Sequence, residues 1–188
     1  TNLGQAAGNG VATSKDTGAT NGFQFNGQSG ATGSNTKGIL PWALIDATDS
    51  GSGTSFATGD GTAFTVANLR PLAAAEYGTA NTITANENVL LNGGTTTNIG
   101  ANIAPNSLTI DASANIGSTN PYAQLSLSSG GILVRSGSTS TIGGAVINQP
   151  AGNSPLNIWT VGDLTISSTL IGGNGTANSA VGFVKAGA

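Results

Sequence analysis

Between Asn88 and Lys185 short apolar triplets recur at nearly even intervals: Val89-Leu90-Leu91, Leu108-Thr109-Ile110, Leu125-Ser126-Leu127, Ala145-Val146-Ile147, Leu164-Thr165-Ile166 and Gly182-Phe183-Val184. One residue from each (Leu90, Leu108, Leu127, Val146, Leu164, Phe183) gives steps of 18, 19, 19, 18 and 19 residues. Self-similarity of this kind belongs to arrays in which each repeat buries its face against its neighbours. Thr, Ile and Val dominate the runs, and turn residues separate them, which favours strands over helices. Leu108-Thr109-Ile110, Leu125-Ser126-Leu127 and Leu164-Thr165-Ile166 alternate apolar with hydroxyl, predicting Leu and Ile inward and Thr and Ser outward. Gly130-Gly131, Gly143-Gly144 and Gly172-Gly173 are expected at tight corners, where a positive φ has no steric cost. A β-sandwich also has short strands, but its hairpins do not hold one long period. The pattern therefore predicts an all-β chain folded as a parallel β-helix, or β-solenoid. Its coils of 18–19 residues would stack equivalent strands about 4.8 Å apart.

The other faces of such a coil are less regular. Ile99, Ile116, Ile132 and Ile158 drift in spacing, and residues 149–155 read as a loop inserted between strands. Asn102 and Asn120 lie 18 apart; they are read as turn residues on the surface, with an internal amide ladder as the alternative.

Upstream, residues 1–37 are rich in Gly, Asn and Thr and are expected to form an N-terminal extension or cap. Residues 38–188 are then a single solenoid domain. Asn21-Gly22 and Asn26-Gly27 flank Phe23-Gln24-Phe25, a short strand with both rings on one face. An open solenoid end exposes unpaired backbone groups, so this segment is expected to cover an end or to pair with another subunit. In Ile39 to Ile45, Pro41 has no N–H to donate and is expected at a strand start, an edge or a bulge. Trp42 is expected to pack a flat surface into the core. Strands are further expected around Ser55–Ala57 and Ala63–Val66, and Ala73 to Tyr77 is the one stretch suited to a helical turn.

Composition restricts the function. Only 7% of the 188 residues are charged, against roughly a quarter in an average protein. The net charge is −3, with five scattered basic residues, so no footprint for nucleic acid or an anionic membrane exists. Ile39 to Ile45 is far too short to insert into a bilayer. No secretory, spanning or lipidation signal is visible, implying that targeting segments were removed or that the chain is a fragment. Cys, Met and His are absent. The chain thus lacks the usual oxidation targets and the usual near-neutral titrating group, as suits a durable extracellular material.

Chemistry finds little support. Asp111 and Asp163, with Arg135 between them, could share a face. At nearly three coils apart they would be separated by roughly 14 Å, beyond the roughly 5–9.5 Å of paired glycosidase carboxylates. Without His or Cys there is no Ser-His or Cys-His nucleophile. The expectation is that the chain is not an enzyme and carries no cofactor. Asp46, Asp49 and Asp60 could bind Ca²⁺ weakly, but their spacing fits neither an EF-hand nor a Ca²⁺-binding nonapeptide repeat, and solvated loop acids are the plainer reading. Asn174-Gly175-Thr176 is the single glycosylation sequon and is expected in any sequence this rich in Asn and Thr.

Two stretches carry a family resemblance. Val184, Lys185 and Gly187 fit the opening of the autotransporter-associated β-strand repeat, and the chain stops before its second Gly. Ile39 to Leu44, Phe56 to Thr58, Leu69 to Leu72 and Glu76-Tyr77 resemble a segment common in large secreted bacterial proteins that carry this repeat. The resemblance implies a bacterial, surface-exposed β-helix of the passenger type, structural or adhesive, outside the cell or on its surface. Self-association end to end into a filament or matrix is the first expectation, because low charge removes repulsion and open ends can continue pairing. Phe23, Phe25, Trp42, Phe183 and Val184 are the candidate subunit junctions. The alternative is an adhesin-like module that binds glycan or a cell surface through Tyr77, Tyr122 and Trp159.

Overall fold

The structure, a computed structural model, describes residues 25–46, 54–59, 69–79, 81–94, 96–148, 150, 155–172 and 182–187. It is nearly all-β and holds two kinds of sheet. The first is antiparallel: β1 (Leu40–Ile45), β2 (Ser55–Gly59) and β3 (Leu69–Pro71), in that order. Leu40 faces Ala57 and Leu44 faces Phe56, so the register shifts between them, at the stretch that holds Pro41. A residue with no N–H is tolerated there, on an edge strand beside a bulge. Ala74–Glu76 forms a 3-10 turn, meeting the expectation for the Ala run. The strand expected at Ala63–Val66 lies outside the described residues.

The remaining strands are β4 (Asn88–Leu91), β5 (Thr96–Ile99), β6 (Ser107–Ile110), β7 (Asn115–Ser118), β8 (Gln124–Ser126), β9 (Gly131–Val134), β10 (Thr139–Ile142), β11 (Val146–Asn148), β12 (Leu156–Thr160), β13 (Asp163–Ile166), β14 (Thr169–Ile171) and β15 (Phe183–Gly187). The chain assigns them in rotation to three parallel sheets: β15-β12-β9-β6-β4, β13-β10-β7-β5 and β14-β11-β8. Ile103 bridges to Leu125 in parallel and holds the place before β8 in the third sheet.

The inward residues of all three sheets pack into one cluster. Val89, Leu108, Ile132 and Ile158 come from the first sheet, Ile116 and Ile142 from the second, and Leu125 and Ile147 from the third. Each is at most 2% exposed. Burying one such side chain stabilises the fold by about 1.5–3 kcal/mol, which makes this cluster the principal source of order.

The register corrects the expected spacing. Val89 faces Leu108, 19 residues on. Leu108 then faces Ile132, 24 on, and Ile132 faces Ile158, 26 on. The even steps of 18 and 19 ran across sheets: Leu90 and Leu108 belong to the first, Val146 to the third and Leu164 to the second. Corner and loop residues lengthen each set of three strands unequally. The hydrophobic pattern is consequently more even than the register beneath it.

The antiparallel sheet does not cover an end. It lies across the outer face of the five-stranded sheet. Ile39, Leu44, Phe56, Leu72 and Tyr77 pack on Leu133 of β9, with Leu90 and Trp159 at the margin. Phe25, Leu40, Ala43, Ile45, Ala57 and Leu69 form a second cluster of their own. Gly131 explains the close approach. A Cβ there would lie 2.8 Å from Phe56 Cζ and 3.0 Å from Ile39 Cδ1, so its missing side chain makes room for a ring. Its neighbour Gly130 takes the positive φ of +81° that turns the corner.

Candidate functional site

The surroundings of the parallel sheets are built from a few polar anchors. Asn88 and Asn106 are both fully buried. Asn106 Nδ2 donates to Asn88 Oδ1 at 2.7 Å and to the Lys37 carbonyl at 2.8 Å. Asn88 Nδ2 donates to the same Lys37 carbonyl at 2.9 Å and to that of Glu76. Ser107 Oγ and the Gln28 N–H donate to the remaining amide oxygens. Every polar atom of the two side-chain amides is paired, so the knot fixes the 28–37 segment to β4 and β6 without a buried unsatisfied group. An amide ladder does exist, but at Asn88 and Asn106. Asn102 instead accepts the Gln124 N–H, and Asn120 donates to the Gly100 carbonyl.

Glu76 is the second anchor. It is fully buried and forms a two-pronged ion pair with Arg70, at 2.6 and 2.7 Å. It also accepts N–H donors from Gly33 and Ala73. Burial by itself would raise the Glu76 pKa; the Arg70 guanidinium and the two backbone donors outweigh it and hold the carboxyl below its ordinary value.

Arg135 is the third. Its Nε donates to the Thr54 carbonyl at 2.8 Å, its Nη1 reaches Asp111 Oδ2 at 2.9 Å, and its guanidinium lies over the Tyr77 ring, 5.8 Å from the centroid. It ties the start of β2 and the segment after β3 to the first parallel sheet.

The residues singled out by sequence fall into these roles unevenly. Asp111 is held by Arg135, whereas Asp163 opens β13 on a different sheet, exposed and opposite Thr139. The two acids and Arg135 form no common cluster. Asp46 is fully buried at the end of β1, and Asp49 and Asp60 lie outside the described residues, so the proposed weak Ca²⁺ site gains no geometry. The sequon at Asn174 lies outside them too. Of the junction candidates, Phe23 lies outside them, and Phe25 is buried in the chain's own second cluster, 7% exposed, and so is not available at a surface. Trp42 is 49% exposed, which corrects the expectation that it fills the core. It is the one β1 residue turned outward, and the indole that packs is Trp159, whose Nε1 donates to the Pro41 carbonyl at 2.8 Å. Tyr77 is buried beneath Arg135, which leaves Tyr122, 82% exposed, as the open aromatic of the three proposed for glycan. Val184 is 46% exposed on β15, an edge strand.

Among the described residues, the outermost strands of the parallel sheets have a strand neighbour on one side only. At the first end, the Asn88 N–H donates to the Asn35 carbonyl and the Asn88 carbonyl accepts the Gly78 N–H, so the start of β4 is covered. Beside β5 the cover is looser: Thr82 and Ile83 stand over the Thr97–Ile103 stretch across a cleft of about 300 Å³. At the other end, β13, β14 and β15 are edge strands, and inward Leu164, Ile166 and Leu170 are only partly buried. Comparison with family models, with curated proteins and with solved structures returned no match.

Proposed function

We propose that the chain is a structural module, a β-solenoid of the cell exterior that associates end to end through the edges of its parallel sheets. The observation that carries this reading is the rotation of successive strands through three parallel sheets around one apolar cluster, with β5, β13, β14 and β15 as edge strands among the described residues. Edges of this kind template further strand pairing unless they are blunted by charge, proline or cover. Of these edge strands β5 and β14 contain no charged residue and no Pro, β13 carries the single charge of Asp163 and β15 that of Lys185. A composition with 7% charged residues supports the same reading, because like copies repel little. The named polar anchors join segments of the fold to one another, so they support a scaffold in preference to a reaction centre. The resemblance of Val184, Lys185 and Gly187 to the autotransporter-associated repeat belongs to this proposal, since those residues form β15, the last described strand of the largest sheet.

Electron microscopy of the purified chain at high concentration tests the reading. Filaments with cross-β spacing along their axis are expected, and a field of uniformly single particles at every concentration would refute it. One observation favours a second reading, an adhesive module: Tyr122 is 82% exposed at the corner between β7 and β8. An exposed ring is a platform for a sugar face, and a glycan array distinguishes the two, with binding lost in Tyr122→Ala only if adhesion is the role.

A further inference from the structure

The corner that precedes β8 holds an exposed ring on a rigid mount. Asn120, Pro121, Tyr122 and Ala123 form a turn, in which the Ala123 N–H donates to the Asn120 carbonyl at 3.0 Å and the Tyr122 N–H to Asn120 Oδ1 at 3.0 Å. Pro121 takes the second position, where its fixed φ suits the turn. The Asn120 N–H donates in turn to Ser118 Oγ at 3.1 Å. The backbone under Tyr122 is thus held in place while its side chain stays 82% exposed.

Side-chain amides continue from this ring across the third parallel sheet. Leu125 and Ile147 are buried, so alternation turns Gln124, Ser126 and Asn148 outward. Ile103 bridges to Leu125, which sets Asn102 beside Gln124 at strand spacing, about 4.8 Å. Asn102 Oδ1 accepts the Gln124 N–H at 3.0 Å. Asn148 Nδ2 donates to Gln124 Oε1 at 2.7 Å and to Ser126 Oγ at 3.0 Å. The amide oxygens of Asn102 and Gln124 are therefore engaged within the chain, whereas Asn102 Nδ2 and Gln124 Nε2 bond to no described residue. Each of these nitrogens offers a pair of N–H donors. Asn102 also borders the cleft of about 300 Å³ beneath Thr82 and Ile83, so the row runs from an open ring to a concavity.

We infer that this face binds an uncharged oligosaccharide, with one sugar ring stacked on Tyr122 and sugar oxygens accepting from Gln124 Nε2 and Asn102 Nδ2. This deepens the adhesive reading and rests on it; it does not require end-to-end association. An aromatic ring presents a flat apolar surface to the C–H face of a sugar. The amide donors meet hydroxyl oxygens, and their orientation is set by bonds already made, so little ordering is lost on binding. Asn102, Tyr122, Gln124, Ser126 and Asn148 are uncharged, and a chain of net charge −3 gives an acidic sugar no long-range attraction.

A glycan array carrying neutral and acidic oligosaccharides, probed with the full chain over a concentration series, tests the inference. Neutral members are expected to bind. Tyr122→Ala removes the platform. Gln124→Met keeps the length of the side chain without its amide, and Asn102→Ala removes the second donor pair. Each is expected to weaken binding by about tenfold, while Thr141→Ala, on the second sheet, leaves it unchanged. Circular dichroism and thermal unfolding confirm that the variants fold, and the two amide variants report independently should one of them not. If Tyr122→Ala loses binding but the folded amide variants do not, the donor row is wrong although adhesion through Tyr122 stands. Preference for acidic members overturns the ligand class, and equal binding by all variants places the site elsewhere. If wild type binds no member of the array, the adhesive reading fails as well.

Discussion

Glu76 concentrates the electrostatics of the fold at one carboxylate, where a guanidinium and two backbone N–H groups meet in the absence of solvent. Removing one partner of such a pair leaves the other charge unmet. Arg70 keeps 22% side-chain exposure, which moderates the loss, so Glu76→Gln is expected to lower stability at neutral pH by about 2–3 kcal/mol, read from urea unfolding. The pH dependence has a definite sign. The folded pKa lies below the ordinary 4.5, so the folded state holds fewer protons on this group than the unfolded state does. Its contribution is complete above the unfolded value and is lost as pH falls through the folded one. In acidic buffer the gap between wild type and Glu76→Gln should narrow; a gap that stays constant across that window would remove Glu76 from the account of acid unfolding.

Among the elements, the contact between the antiparallel sheet and the outer face of the five-stranded sheet is the one the sequence pattern concealed. Val89-Leu90-Leu91 and Ile132-Leu133-Val134 are apolar at both parities, the mark of strands covered on two faces. The inward row was legible, because alternation alone places Leu108, Ile110, Leu125 and Leu127. Strand identity and Pro41 were also legible from local chemistry. The sheet to which each strand belongs was not, because corners of unequal length leave no trace in the spacing of apolar residues. Nor was the knot at Asn88 and Asn106, since nothing local separates a buried Asn from the many Asn in turns. The Gly131 contact makes the packing testable. Gly131→Val is expected to push Phe56 and Ile39 outward at a cost of about 1–3 kcal/mol. Because Trp159 is anchored to Pro41 across the same contact, the emission of the variant should shift to the red. An unshifted spectrum with unchanged stability would mean that the two sheets do not pack through this face.

At the scale of the molecule, a fold whose sets of strands contact mainly their neighbours distributes its stability along its axis. The centre of the array is flanked on both sides, and β9 is covered on its outer face as well. At the far end, β13 and β14 have one strand neighbour each and carry half-buried inward side chains. Local opening needs least free energy where few apolar contacts are broken. Amide hydrogen exchange should therefore form a gradient: slowest in β6 and β9, faster in β10 and β11, fastest in β13 and β14. The order follows neighbours, not strand length, since β6, β9, β10 and β13 all have four residues. The proposed end-to-end association predicts a further change in the same measurement. On raising protein concentration, protection should rise at β13 and β14 while β6 and β9 stay as they were. Uniform exchange across the four positions would show that the array opens as one cooperative unit, and a concentration effect at β6 instead of β13 would place the contact between copies on a side of the array and not at its ends.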